Sequence, residues 1–316
     1  MSCLVVNRYN LPRSIPAEIK RQIRQRDGFG CIVCGNAYYQ FDHIGTEFRD
    51  AVIHDPLQII LLCGKCHDRK TRGVLSTETL LLHAKSPRCK QIDFSRGELD
   101  IGTAHPEIVL GTITAKNVRS LLTIDEEEVF SILPPQKPGE AFRINASLYN
   151  QNGDQTLKIF ENEFQISVSN WDAEIIGQKL KIRSQLGKFN LVLRVDPPKR
   201  LIIEQLDMVY KNFNIECREG RDTIIKNRET LLKTSGAELD GCDIAILVKG
   251  LDLSIGVGGG SVHITKMNFS ISKRERPQAS SVYPNLFQNG APKLRRNEKC
   301  FCGTGKKYKY CHGRLN

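Results

Sequence analysis

The sequence predicts an α+β multi-domain chain. A small cysteine-rich module with short helices comes first, then a mostly-β, sandwich-like middle, then a short cysteine-rich tail. Three observations carry this. Two Cys-x-x-Cys pairs, Cys31/Cys34 and Cys63/Cys66, lie among segments of helical periodicity. Apolar and polar residues alternate through much of 93–282, the two-residue period of strands. A second cluster, Cys300, Cys302, Cys311 and His312, closes the chain. The expected boundaries are 1–92, 93–282 and 283–316.

The 316 residues suit two or three domains, and 40% hydrophobic residues suit a chain that buries a core. No apolar run reaches ~18 residues, so no membrane span is expected. The N-terminus lacks a basic region and a small-residue cleavage site, and reads as mature. An odd count of eleven cysteines and tight Cys-x-x-Cys spacing argue against a disulfide framework. Reduced thiolates on zinc, in a cytoplasmic protein, are the expectation. The net charge of +11 is uneven. Residues 1–92 hold 14 basic and 8 acidic groups, and 283–316 hold 8 and 1. The middle is near neutral, so a polyanion is expected to meet the ends.

In order along the chain, "SIPAEIKRQIRQRDGFG" predicts a helix, with Pro16 in its first turn, Ile19 and Ile23 on one face, and Asp27-Gly28 ending it. "CIVCG" is a turn carrying two thiols. "YYQFDHIG" has strand composition, and "LQIILLC" is an apolar run into the second cysteine pair. "KCHDRKTRG" and "STETLLLHAK" predict short helices. "FRINASLYNQNGDQTLKIF" predicts a hairpin around Asn-Gly-Asp. The same period continues through Phe164, Ile166 and Val168, then Leu180 and Ile182, then Leu191, Leu193 and Val195. "DTIIKNRETLLKT" (222–234) is expected to be the one helix of this middle. "IGVGGGSVHITKMNFSI" is followed by strand alternation and not by a helix, so a tight turn is expected there, not a phosphate loop. Residues 275–297 have linker composition.

Two Cys-x-x-Cys pairs can supply the four thiolates of a tetrahedral structural zinc. The run "RQRDGFGCIVCG…FDHI…LQIILLCGKCHDRK", residues 15–75, resembles the HNH endonuclease family with its zinc-stabilised ββα-metal nuclease module. That resemblance implies a metal-dependent endonuclease that hydrolyses phosphodiester bonds of DNA, with restriction or anti-phage defence as an analogy. It makes His43 the general base, and Asp42 and His67 the ligands of Mg²⁺ or another divalent ion. Gln58 stands where the family has Asn. His54, in the same loop, reads as an ordinary loop histidine that could substitute for that Asn in part. Arg49, Arg69, Lys70 and Arg72 are candidate phosphate contacts.

The tail "RRNEKCFCGTGKKYKYCHG" resembles the SEC-C zinc motif. The resemblance makes Cys300, Cys302, Cys311 and His312 the ligands of a second zinc and implies docking to a protein partner. A homodimer is compatible with the endonuclease reading. The competing expectation is a non-catalytic, zinc-containing nucleic-acid-binding or docking adaptor.

Overall fold

The computed structural model describes residues 6–250 and 252–271, together with Asn297, Lys299, Lys306, Lys307 and Tyr310. The chain divides into two compact units, Met1–Ser272 and Lys273–Asn316. In the second, Lys299 and Lys307 form an isolated antiparallel bridge.

The larger unit begins with α1 (Ala17–Asp27), β1 (Gln40–His43), β2 (Ile59–Leu62), α2 (Gly64–Thr71), α3 (Thr77–Lys85) and α4 (Arg88–Ile92). Strands follow: β3 (Phe94–Glu98), β4 (Glu107–Leu110), β5 (Ile113–Lys116), β6 (Ser120–Ile124), β7 (Glu127–Leu133), β8 (Arg143–Tyr149), β9 (Gln155–Phe160) and β10 (Glu163–Ser167). Then come β11 (Asp172–Ile176), β12 (Lys179–Gln185), β13 (Lys188–Asp196), β14 (Arg200–Tyr210) and β15 (Phe213–Arg218). The last are β16 (Thr223–Lys226), β17 (Thr230–Asp240), β18 (Ile244–Lys249), β19 (Asp252–Val257) and β20 (Ser261–Ile271).

These strands build an eight-stranded sheet, ordered β19-β18-β6-β7-β8-β9-β10-β3, and a ten-stranded sheet, ordered β11-β12-β13-β14-β15-β16-β17-β5-β4 with β20 on β17. The hairpins β4–β5 and β15–β16 share the space between β14 and β17. β4 takes Arg200–Ile203 of β14 and β15 takes Gln205–Tyr210. One apolar core joins both sheets, with Phe130, Ile144 and Phe164 from the first and Leu201, Met208 and Ile215 from the second. In strands such as β8, inward Ile144, Ala146 and Leu148 alternate with partly exposed residues, the period the sequence shows there, whereas β6 is buried along its whole length.

The expected fold class is corrected here. The chain is mostly β, and the α+β arrangement with a ββα-metal module gives way to two large sheets. The helices are short, 11, 8, 9 and 5 residues. β1 and β2 form a small ladder of their own. The helix expected at 222–234 is likewise corrected: that segment is the hairpin β16–β17. Leu232 is fully buried while Lys233 is exposed, and the Asn227 side chain accepts hydrogen bonds from the Glu229 and Thr230 N–H groups to close the turn. The Asn turn and β-branched residues outweigh the spacing of Ile224, Ile225, Leu231 and Leu232.

The N-terminal segment is tied to the sheets by buried charge. Arg24 of α1 donates from Nε and Nη2 to the two Asp172 carboxylate oxygens of β11, at 2.8 and 2.7 Å. It also pairs with Glu174 at 3.1 Å, and Arg183 of β12 completes the network. The Arg24 and Asp172 side chains are only 6% and 1% exposed. Burial works against the Arg24 charge, but the hydrogen bond and charge of Asp172 outweigh it and hold its pKa above the ordinary value. Nearby, Gln25 donates to the Trp171 carbonyl at 2.6 Å, and Arg21 lies over the Trp171 ring. Arg24→Ala leaves buried Asp172 and partly buried Glu174 with Arg183 as their remaining partner, and a loss of about 3 kcal/mol is expected. Urea unfolding of the variant checks this, and an unchanged midpoint would show that the network does not hold the two parts together.

Candidate functional site

The first cysteine pair sits in a tight turn after α1. The Gly35 N–H donates to the Cys31 carbonyl at 2.8 Å, and Gly35 takes φ 81°, a conformation that glycine adopts without strain. The second pair brackets the start of α2, with Cys63 at its N-cap. The Ile32 N–H to Leu61 carbonyl bond, 3.0 Å, draws the first turn onto β2 and so onto the second pair. The four Sγ atoms of Cys31, Cys34, Cys63 and Cys66 lie within 4.8 Å of one another, and Cys34 and Cys63 are 3.6 Å apart. Tetrahedral zinc with ~2.3 Å bonds to sulfur needs S–S separations of about 3.8 Å, so this donor set fits zinc.

The thiol electrostatics agree with a cation-binding role. The Cys34 thiol is drawn down to about 5, first by its hydrogen bond with Cys31. Cys66 is pushed up to about 12 by burial and then by the Cys34 charge. Cys31 is pushed up as well, first by its hydrogen bond with Cys34 and then by burial. Thiolates this close repel one another. A divalent cation removes that repulsion.

Beside the cysteines lies a second group. β1 pairs antiparallel with β2, with Asp42 opposite Ile60 and His43 opposite Ile59. α2 starts at the end of β2 and turns back, so His67 and Lys70, one turn apart, both reach Asp42. His67 Nε2 is 3.4 Å from Asp42 Oδ1. Two ligands of one first-row ion at ~2.1 Å lie about 3 Å apart, so an oxygen and an imidazole nitrogen at this spacing fit a shared divalent ion. Lys70 donates to Asp42 Oδ2 and to the His43 carbonyl, the latter at 2.5 Å. A positive charge therefore already sits against this carboxylate.

His43 follows Asp42 and is half-buried. Its ring lies 5.8 Å from Phe48 and 6.0 Å from His54, centre to centre. Burial first, and then His54, lower its pKa below the ordinary imidazole value, with smaller contributions from Lys70 and Arg13 and with Asp42 acting in the opposite direction. A neutral imidazole is thus favoured near pH 7.

Gln58 ends the 3-10 turn Pro56–Gln58 and is exposed. It acts through its backbone: its carbonyl accepts the Ile44 N–H at 2.8 Å, fixing the chain just after His43. Arg49 pairs with Glu47 and Asp50 on the surface, and Arg72 with Asp68. Arg69 is exposed, whereas Lys70 turns inward to Asp42. Two features were not visible in the spacing. Asp27 Oδ2 accepts the Leu61 N–H at 3.0 Å, and Arg26 donates to the Pro56 and Ile59 carbonyls at 2.6 Å each. Together they lock β2 and the loop before it onto α1. The sequence signal for this was the charged pair preceding the helix-ending glycine.

Comparison with known proteins identifies the tail. The SEC-C motif family matches residues 296–314. Cys300, Cys302, Cys311 and His312 fall inside that match and lie outside the described residues. Protein translocase subunit SecA of Bordetella pertussis is 41% identical over 56 residues, 17% of this chain and 6% of that protein. SecA of Janthinobacterium sp. (strain Marseille) is 67% identical over 40 residues, 12% of this chain and 4% of its own length. The chain therefore spans about 6% or less of the length of these curated relatives. No solved structure matches it. The chain is a mostly-β protein with a four-cysteine cluster able to hold zinc and a C-terminal SEC-C motif. No helix among the described residues is long and apolar enough to cross a membrane.

Proposed function

We propose that the chain is a metal-dependent endonuclease of the HNH kind, hydrolysing phosphodiester bonds in DNA. One observation supports this above the others. Asp42 Oδ1 and His67 Nε2 stand 3.4 Å apart beside the four-cysteine cluster, with His43 on the same strand as Asp42. Zinc on the cysteines would then serve as scaffold, since it fixes the start of α2 and with it His67.

In this reading Asp42 and His67 would hold Mg²⁺ or another divalent ion, which would supply Lewis-acid stabilisation of negative charge on the leaving 3′ oxygen. The chain's own residues do the rest. Neutral His43 takes a proton from water, the water oxygen bonds to phosphorus, and the bond from phosphorus to the 3′ oxygen breaks, that oxygen then taking a proton from solvent to leave as the 3′ hydroxyl. Lys70 holds Oδ2 and the His43 carbonyl, which keeps Oδ1 turned toward His67. Arg49, Arg69 and Arg72 are exposed, and Arg49 and Arg72 can trade their surface pairings for backbone phosphates. The SEC-C motif would dock a protein partner, and a pairing of two chains would allow cuts in both strands. A role in restriction or anti-phage defence fits this set.

The alternative is a non-catalytic adaptor with two zinc sites. It is favoured by the Lys70 ammonium, which already neutralises Asp42. Incubating full-length protein with supercoiled plasmid separates the two. The endonuclease reading expects relaxation or linearisation only when Mg²⁺ or Mn²⁺ is present. Retained DNA binding without cutting in any divalent metal would sink it and leave the adaptor.

A further inference from the structure

An arm of chain before α1 is fastened to the loop that follows β1. Asn7 makes most of the bonds. Its Nδ2 donates to the Phe48 and Ala51 carbonyls, at 2.6 Å each. Its Oδ1 accepts the Tyr9 and Leu11 N–H groups at 2.9 and 3.0 Å. Val6 and Pro12 close the arm as an isolated antiparallel bridge, and the Pro12 carbonyl lies 2.7 Å from His54 Nε2. One amide thus uses both its oxygen and its nitrogen to shape the arm and to seat it on the loop.

Arg13 leaves this arm beside the candidate base. Its guanidinium carbon lies 5.7 Å from the centre of the Phe48 ring, and that ring lies 5.8 Å from the His43 ring. The Arg13 charge is one of those that act on His43. Neighbouring arginines are matched by acids: Arg8 pairs with Asp50 at 2.8 Å, and Arg49 with Glu47 at 3.0 Å. Arg13 is exposed, and among the described residues its guanidinium has no carboxylate partner and makes no hydrogen bond. Its five N–H donors are open to a ligand, while the contact with the Phe48 ring limits where they lie. A guanidinium fork fits two oxygens of one phosphate, and phosphate is the anion that a phosphodiester substrate brings to this face.

We propose that Arg13 is a DNA-binding residue that grips a backbone phosphate beside the bond His43 serves, with Asn7 as the positioning residue that holds it there. The choice of a DNA phosphate as the anion rests on the endonuclease reading. Unlike Arg49 and Arg72, Arg13 has no carboxylate to give up when phosphate arrives.

The test measures binding without cutting. Full-length protein is titrated onto a short fluorescent DNA duplex with no Mg²⁺ or Mn²⁺ added, over a series of KCl concentrations. Each phosphate contact adds about 0.9 to the slope of log K against log salt. Arg13→Gln is expected to weaken binding about 10-fold at low salt and to lower that slope by about 1. Asn7→Ala changes no charge, yet it is expected to lose most of the same contact. The double variant is expected to bind no more weakly than Arg13→Gln alone, because the two residues act as a unit. Circular dichroism shows that each variant is folded. An unchanged slope in Arg13→Gln overturns the proposal, and if that variant still cuts plasmid the endonuclease reading stands. A folded Asn7→Ala that binds like the wild-type protein also overturns it, since Arg13 would then act as one diffuse charge among others. A wild-type chain that binds no duplex overturns both. Arg13-dependent binding by a protein that cuts no DNA supports the contact and sinks only the endonuclease reading.

Discussion

Plasmid cleavage by His43→Ala is expected to fall by about 10²- to 10⁴-fold, the contribution of one positioned general base. The loss should come in kcat, because His43 acts on the water and not on DNA binding. Zinc content should not change, since none of the four thiols is touched. The wild-type pH profile carries a second signature. The His43 pKa is depressed, first by burial and then by His54, so the base stays neutral below the ordinary imidazole range. Activity should hold as pH falls to about 6.5 and drop only as pH passes through the lower, folded-state value. An acidic limb above pH 7, or cleavage by His43→Ala at the wild-type rate, would assign the base elsewhere.

Replacing Cys63 with serine is expected to release one of two zinc ions and open residues 28–75. Structural zinc contributes about 10–16 kcal/mol to the folding of small zinc-bound peptides, more than most domains have in total. Without it, three thiols and a serine hydroxyl would remain unpaired in the small apolar cluster of Ile32, Ile60, Leu62 and Leu80. The two large sheets have a core of their own and should remain folded. Elemental analysis should count one zinc in Cys63→Ser and two in the wild-type protein. Hydrogen exchange should show lost protection in β1, β2 and α2 but not in β6–β10. Two zincs in the variant, or wild-type protection throughout, would contradict the assignment of the cluster.

The sheets and the metal cluster were legible to different depths. Alternation located strands such as β8, which sets one face, Ile144, Ala146 and Leu148, into the core. It could not give sheet order. β14 pairs parallel with β4 and β18 with β6, joining segments far apart in sequence, and no local pattern encodes such partners. Residues 222–234, which lie in the β16–β17 hairpin, read as a helix because paired apolar residues, Ile224-Ile225 and Leu231-Leu232, satisfy either period. The weight given to an α+β class came from the short helices around the cysteines, and these are few beside the strands that follow.

At the site, thiol spacing was informative because zinc geometry constrains it closely. The closeness of Asp42 and His67 follows from the β1–β2 register and the turn into α2, and is legible once the strands are paired. Arg24, Lys70 and His54 are another matter. A charged residue in a short helix looks solvated in sequence, and the partner of Arg24 lies 148 residues away. Lys70 resembles any surface lysine until α2 is laid against β1. His54 reads as any loop histidine until the fold buries it and sets its Nε2 against the Pro12 carbonyl.

The central claim is that His67 performs a job separate from that of the cysteines beside it. Cleavage of supercoiled plasmid by wild-type protein and His67→Ala, across Mg²⁺ and Mn²⁺ and with zinc counted in both, tests it most directly. The expected result is metal-dependent cutting by the wild-type chain, none by the variant, and two zincs in each. Equal cutting by both proteins, or loss of a zinc with His67, would contradict it.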